Sequence, residues 1–434
     1  MATYGQNRFR ILIIGGGLGG LGAAICLSRK GHSVTVIEAA NKLVEVGAGI
    51  HIPPNSTRVL DSYGLTEKFH EKAVWPKSLV FRRYCTGEVI GSTPFRHVLE
   101  KKYGFPYWLV HRADYQQILV DAVKESGAKI MLGAQVEYVD EQTPAAVLAD
   151  GRRFTADLII GADGIRSKTR RAVIREKEIE ANDTPNCVFR VTVPAEVMNA
   201  DDEVKHLMID EDSNGWIGHQ RSIMAYPIRQ GTIYNLVLCY PGKASVGKWN
   251  EPGDPDEMRA YYGNFEPTIK KVLAKVKSCL KWKLAELPPL PSWVSPNGKV
   301  VLIGDAAHAM VPYLGQCIDQ LKQDDKGAAM AIEDGAALGE CLDRARSTWD
   351  IPKVLHAFEA IRKPRCERVQ AVARENEHIW HLPDGPQQVA RDRVMKQKAE
   401  EVKKETSWNP NRWSDEEFQP WLLGHDVFTY KTLV

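Results

Sequence analysis

The sequence predicts an α/β chain in which a parallel sheet is interleaved with a mostly antiparallel one and followed by a helical C-terminal region. Residues 9–38 read as strand, helix, strand. Two later apolar runs, 157–161 and 299–304, each end at a glycine with an aspartate just behind it. Between them, 187–197 and 216–241 alternate apolar and polar residues instead.

Each element has a local reason. FRILIIG (9–15) is a short apolar run bounded by glycine, the pattern of a strand buried on both faces. Gly17 to Lys30 reads as a helix, with Gly31 as its stop. Ser33 to Glu38 is the second strand of a βαβ unit. The alternating middle predicts antiparallel sheet with one covered face, and Arg229-Gln230-Gly231 predicts a hairpin turn. Pro-rich ELPPLPSWVSPNG (286–298) is a crossover back to the first sheet, and from Asp334 the chain reads as mostly helical. The expected division is 1–180, with an excursion into the second sheet near 75–110, then 181–290, 291–345 and 346–434.

Composition narrows the function. The 434 residues are 44% apolar and 26% charged, as in a globular protein. Lys+Arg of 57 against Asp+Glu of 55 leaves a formal net charge of +2, which argues against a nucleic-acid partner. The eight cysteines include no CxxC pair, so neither a disulfide framework nor a metal site is expected, and a cytoplasmic setting is. The apolar run 11–27 imitates a membrane segment. It contains six glycines and is too short to cross a bilayer, so no membrane association is expected.

Gly15, Gly17 and Gly20 satisfy G-x-G-x-x-G at the strand–helix junction. In that pattern the first glycine permits a tight turn, the second lets the backbone approach a pyrophosphate, and the third allows close helix–strand packing. Glu38 ends the second strand, where an acid accepts hydrogen bonds from ribose hydroxyls. This Rossmann-like fingerprint leaves NAD and FAD open, while the acid disfavours a ribose 2′-phosphate in the same pocket.

DLIIGADGIRSKTRR (157–171) and VVLIGDAAHAMVPYLGQ (300–316), in this order after the fingerprint, resemble the class A flavoprotein aromatic hydroxylases. These are built like p-hydroxybenzoate hydroxylase, and the nearest look-alikes are salicylate hydroxylase-type and fungal aromatic-polyketide enzymes. The resemblance implies a Rossmann-like FAD-binding domain interleaved with a substrate domain. It implies FAD as cofactor, with NADPH or NADH as co-substrate. The activity implied is hydroxylation of a phenolic substrate by O2 through a flavin C4a-hydroperoxide, with decarboxylation where a carboxylate marks the attacked carbon. Asp305 is similar to the acid binding the ribityl and pyrophosphate region. Arg112 in HRADYQQIL is similar to the arginine near the phosphates, Gly49 in VGAGIHIPPN to the loop beside the ring, and Asp163 to the aspartate of the DG motif. Arg190 and Tyr226 resemble the pair that related hydroxylases use to ionise a phenol: an arginine stays charged beside an anion, and a tyrosine passes a proton. The expected assembly is a monomer or homodimer.

The chain departs from the family pattern after Gln316. Cys317 stands in place of a glycine, and CIDQLKQDDK (317–326) separates Gln316 from Gly327 and Ala328, which resemble the helix start facing the flavin. Either the insert bulges outward, or it displaces Gly327 and Ala328 and inactivates the protein, or it is a gene-model artefact. His378 and His381 lack metal-spaced acids and are expected at a helix end, and His308 is expected to be structural. The basic cluster Arg166 to Lys177 reads as a solvated helix face that could meet NADPH phosphates. An alkene epoxidase, an oxidase and a nicotinamide dehydrogenase are the rival activities.

Overall fold

The computed structural model describes residues 8–43, 48–175, 179, 181–243, 251–316, 328–397 and 408–432. The strands in chain order are β1 (Arg10–Ile14), β2 (Ser33–Ile37), β3 (Gly49–Ile52), β4 (Ser78–Arg83), β5 (Val89–Pro94), β6 (Trp108–His111), β7 (Lys129–Met131), β8 (Val136–Asp140), β9 (Ala145–Leu148), β10 (Arg153–Thr155), β11 (Leu158–Gly161), β12 (Asn182–Pro194), β13 (Ser213–Gly218), β14 (Arg221–Ile228), β15 (Ile233–Pro241), β16 (Glu251–Gly253), β17 (Cys279–Glu286) and β18 (Val300–Leu302). Helix α1 (Leu18–Arg29) joins β1 to β2, and α2 (Pro54–Ser62) follows β3.

The five-stranded sheet β18-β11-β1-β2-β7 is parallel throughout. The three apolar runs with glycine behind them supply three adjacent strands, β18 at the edge, β11 and β1. Ile14 lies between Ile37 and Gly161 in the register, so the strands' carboxyl ends, and the residues after them, converge on one crevice.

The eight-stranded sheet runs β16-β17-β12-β15-β14-β13-β4-β5 and is antiparallel except where β13 meets β4. Residues 78–94, from the early excursion, supply its far edge. The expectation of one covered face is corrected: β13 is buried at every residue and β15 at all but its ends. Phe189, Ala225 and Leu236 face a core shared with the helices Pro255–Tyr261 and Pro267–Ala274, while Val188, Tyr226 and Val237 face the main core. The polar positions of the alternating pattern are therefore turned towards an internal site, not towards water. The hairpin turn forms as expected, with Arg229, Gln230 and Gly231 all at positive φ (50°, 55° and 78°).

The helical region starts at Ala328, ahead of the expected Asp334. The helix Ala328–Leu342 lies so close to α1 that a Cβ on Gly335 would sit 2.8 Å from the Ala23 nitrogen. The helix Ile351–Trp380 packs behind it. Among the described residues, no helix is long and apolar enough to cross a membrane.

Candidate active site

The glycine loop after β1 is built around close backbone approach. Gly15 takes φ +106°, a conformation that glycine alone adopts readily, and donates its N–H to Ile37 O at 2.8 Å. A Cβ on Gly20 would lie 2.1 Å from Gly15 O, so any side chain there pushes the helix off the loop. Gly17 caps the start of α1. Glu38 is fully buried, and its two carboxylate oxygens accept the N–H groups of Gly16 and Ala40, both at 2.7 Å. The acid thus fixes the loop as well as marking the end of β2.

A cavity of ≈ 420 Å³ opens beside this loop, lined by Gly15, Ala39, Val136, Asp163, Arg166 and Lys168 among others. Asp163 is largely committed to its own turn: it accepts from Ser167 Oγ (2.6 Å) and from Thr169 N and Oγ1 (3.0 and 2.9 Å). Gly304 turns at φ +57° and places Asp305, 3% exposed, at the start of a one-turn helix. Arg112 is fully buried at the head of the helix Arg112–Glu125, and its N–H is bonded to Ala48 O next to Gly49 (2.9 Å). Ala328 is buried at the head of its helix, while Gly327 and the 317–326 segment lie outside the described residues. The loop that a Cβ would fill and the carboxylates at the strand ends fit the pyrophosphate and ribose parts of FAD.

A second cavity, ≈ 670 Å³, is lined by β3, by β4, β14 and β15 of the eight-stranded sheet, and by residues 312–315. Its walls are apolar, including Leu79, Val237, Trp380 and Trp413, with Tyr226, Tyr313, His51 and Ser222 as polar points. Gly49 sits at its rim, where a Cβ would be 2.4 Å from Tyr226 Cε2, and its N–H bonds Asn235 Oδ1 at 2.8 Å. Tyr226 is 2% exposed; burial pushes its hydroxyl up, and the Arg190 charge opposes that. Arg190, 5% exposed, pairs in register with Val237 and lies 4.7 Å over the Trp282 ring. It is not among the cavity-lining residues, but it shares the sheet face of Val237, and its charge acts on Tyr226.

A family model described as an FAD binding domain matches residues 8–373. The chain is 35% identical over 427 residues to the FAD-dependent monooxygenase OpS4 of Beauveria bassiana (strain ARSEF 2860), covering 97% of this chain and 96% of that one. The chain belongs to the FAD-dependent monooxygenases. It is also 33% identical over 380 residues to 3-hydroxybenzoate 6-hydroxylase 1 of Aquipseudomonas alcaligenes, covering 86% of this chain and 90% of that one. A solved salicylate hydroxylase substrate complex shares the fold, with a TM-score of 0.78 at 22% identity and 98% of each chain covered.

In this monooxygenase the tightest steric constraint on the cofactor loop is Gly20. Gly20→Val should yield protein that loses FAD by at least about tenfold, because the helix N-terminus moves off the pyrophosphate path. Flavin absorbance per protein, read beside a circular-dichroism spectrum of the folded chain, checks this; a yellow Gly20→Val protein would refute it.

Other sequence expectations meet different outcomes. The basic cluster is not simply a solvated face: Arg170 is 5% exposed and donates to Ala306 O (3.0 Å) and Ile165 O (2.9 Å), tying the DG turn to the Asp305 turn. The reason is burial of the short helix Arg170–Val173 against β18. His381 caps the end of its helix, and its Nε2 lies 3.0 Å from Ser222 Oγ behind the cavity wall. His308, Asp334 and Cys366 bring potential metal-ligating atoms within 4.8 Å of one another. Arg362 already occupies that cluster, with Nε on Asp334 (2.8 Å) and an N–H towards Cys366 Sγ (3.7 Å). A cation would meet a guanidinium, so the geometry is that of an ion-pair network. The seven described cysteines are free.

Sequence reasoning missed His51, Tyr107, Asn235 and Tyr313. His51 and Tyr313 lie inside the quoted segments VGAGIHIPPN and VVLIGDAAHAMVPYLGQ but were not singled out there, and no motif marks Tyr107 or Asn235. The available signal was His51 itself, a polar residue between Ile50 and Ile52.

Proposed function

We propose that this monooxygenase hydroxylates a phenolic aromatic of salicylate- or orsellinate-like type, taking electrons from NADPH or NADH. The observation that carries the reading is the cavity between β3 and the eight-stranded sheet: apolar walls, Tyr226 against Gly49, and the Arg190 cation acting on Tyr226. An apolar enclosure with few polar points suits one aromatic ring. The balanced reaction consumes the phenol, O2, NAD(P)H and a proton, and yields the hydroxylated phenol, water and NAD(P)+. When the attacked carbon bears a carboxylate, CO2 leaves as well.

Bound FAD supplies the oxygen-activating chemistry. The protein's part is to hold the ring, exclude water and ionise the phenol. Arg190 favours the phenolate, and Tyr226, itself protonated, passes the phenolic proton on through its hydroxyl. Gly15, Gly17, Gly20, Glu38, Arg112, Asp163 and Asp305 would hold the adenosine, pyrophosphate and ribityl parts of FAD, and Gly49 and Ala328 would lie by the ring, as would Gly327, which is outside the described residues. Free cysteines and the lack of a spanning helix among the described residues support a cytoplasmic enzyme.

NAD(P)H oxidation by the FAD-loaded protein with resorcylic, salicylic and orsellinic compounds tests the reading, beside a variant lacking 317–326. Coupled hydroxylation by the full chain is expected. A full chain inert with every phenol, beside an active deletion variant, would show that the insert abolishes activity; two inert proteins would overturn the proposal.

A further inference from the structure

We infer that His51 is a substrate-positioning residue: held by Tyr107 with its proton on Nε2, the neutral imidazole donates a hydrogen bond to the phenolate oxygen of the substrate. The inference rests on the reading that the cavity holds a phenol.

His51 is on β3 and lines the larger cavity. It shares that lining with Gly49 and Ile50 of the same strand, and its ring meets Tyr226 across the cavity wall. Its ring is clamped by two aromatic neighbours, edge-on to Tyr226 at 4.5 Å and to Tyr107 at 5.7 Å between centroids. Nδ1 lies 2.8 Å from the Tyr107 hydroxyl.

That contact sets the tautomer. Tyr107 is 4% exposed, and among the described residues His51 is its hydroxyl's hydrogen-bond partner. If Nδ1 were the donor, the buried Tyr107 O–H would have no acceptor, a cost that the opposite arrangement avoids. Tyr107 therefore donates to Nδ1, and the imidazole proton sits on Nε2. Burial pushes the His51 imidazolium down to about 3, so the ring is neutral at ordinary pH, and it holds the Tyr107 hydroxyl protonated.

The other polar groups around the cavity have different roles. Ser222 Oγ is engaged by His381, and burial pushes the Cys239 thiol up to about 12. Tyr313 is likewise protonated, its hydroxyl pushed well up by burial. Tyr226 has the Arg190 charge at its back. His51 is thus a neutral donor whose orientation a second residue fixes. A fixed N–H favours phenolate over phenol, because an anionic oxygen accepts a hydrogen bond more strongly than a neutral hydroxyl.

The test uses p-nitrophenol, whose phenolate absorbs visible light, titrated across pH in FAD-loaded protein. The wild type should bind it and lower its apparent pKa. His51→Leu should reduce the ionised fraction of bound probe about tenfold at fixed pH. His51→Gln, whose amide N–H reaches the Nε2 position, should restore most of it. His51→Asn, which reaches only the Nδ1 position, should behave like His51→Leu. Tyr107→Phe should fall between them, with FAD content unchanged throughout. Equal ionisation in the Gln and Asn variants, unchanged ionisation in the Leu variant, or a wild type that leaves the probe's pKa alone would each overturn the inference. Phenol turnover without a His51 effect refutes the donor alone. A His51 effect without turnover of any phenol refutes the reaction and leaves the donor.

Discussion

Arg190→Ala and Tyr226→Phe are each expected to reduce product formation by about 10²–10⁴-fold, the range for loss of a positioned proton-transfer group, while FAD stays bound. Tyr226→Phe is the cleaner change. The phenyl ring still fills the space against Gly49 and His51, and only the cavity hydroxyl is removed. Arg190→Ala removes a buried cation from behind the same hydroxyl and leaves the Trp282 face uncovered. Arg190→Lys separates charge from shape: a lysine keeps the charge but loses the planar stacking on Trp282. Chromatography of the product, with the flavin spectrum recorded on the same sample, measures both parts. Full turnover in both the Ala and the Phe variants would remove these residues from the reaction.

The second large effect concerns stability. Glu333 and Arg362 are both fully buried. Arg362 donates to Glu333 (2.5 Å) and Asp334 (2.8 Å), and Arg365 holds Glu333 through two bonds of 2.9 Å. Asn55, at the start of α2, donates to Glu333 (2.7 Å) and to Gln316 (3.0 Å), so the network joins three separate parts of the chain. Arg362→Leu should destabilise the fold by about 3–5 kcal/mol, because it strands buried carboxylates. Urea unfolding measures this, and a change under about 0.5 kcal/mol, the size of a surface substitution, would refute it.

The same network sets an acid limit. Burial alone would raise the Glu333 carboxyl, but Arg365 and Arg362 hold it well below the usual carboxylate range. Its folded value is thus lower than its unfolded one near 4.5. The stabilisation is fully present above the unfolded value and is lost as pH falls through the folded one. Glu333→Gln should therefore be less stable than the wild type at pH 7, and the difference should shrink as pH drops below about 4.5. A pH-independent difference would contradict this account.

The parallel sheet was legible because three short apolar runs ending in glycine have few alternative folds. The cofactor loop was legible for the same reason: Gly15 and Gly20 are demanded by backbone geometry within about ten residues of sequence. The middle of the eight-stranded sheet, 187–197 and 216–241, was legible as strands but not in its exposure. Its polar residues face an internal cavity, and alternation cannot tell such a cavity from solvent. The Arg166–Lys177 cluster was read as solvated for a similar reason, yet Arg170 is buried because its partners are carbonyl oxygens, which carry no signature in the residue types.

By itself, then, the sequence determined the first strand–helix–strand unit, the two later parallel strands and the dinucleotide loop, since each rests on local backbone demands, while FAD came from the family resemblance. Only the tertiary structure decided which side chains gather in and around the second cavity. His51 from β3, Tyr107 before β6, Tyr226 from β14 and Arg190 from β12 are far apart in the chain and meet because the β3–β6 pair packs against the eight-stranded sheet. Contacts of that kind depend on the summed packing of separate elements, and no stretch of neighbouring residues encodes them.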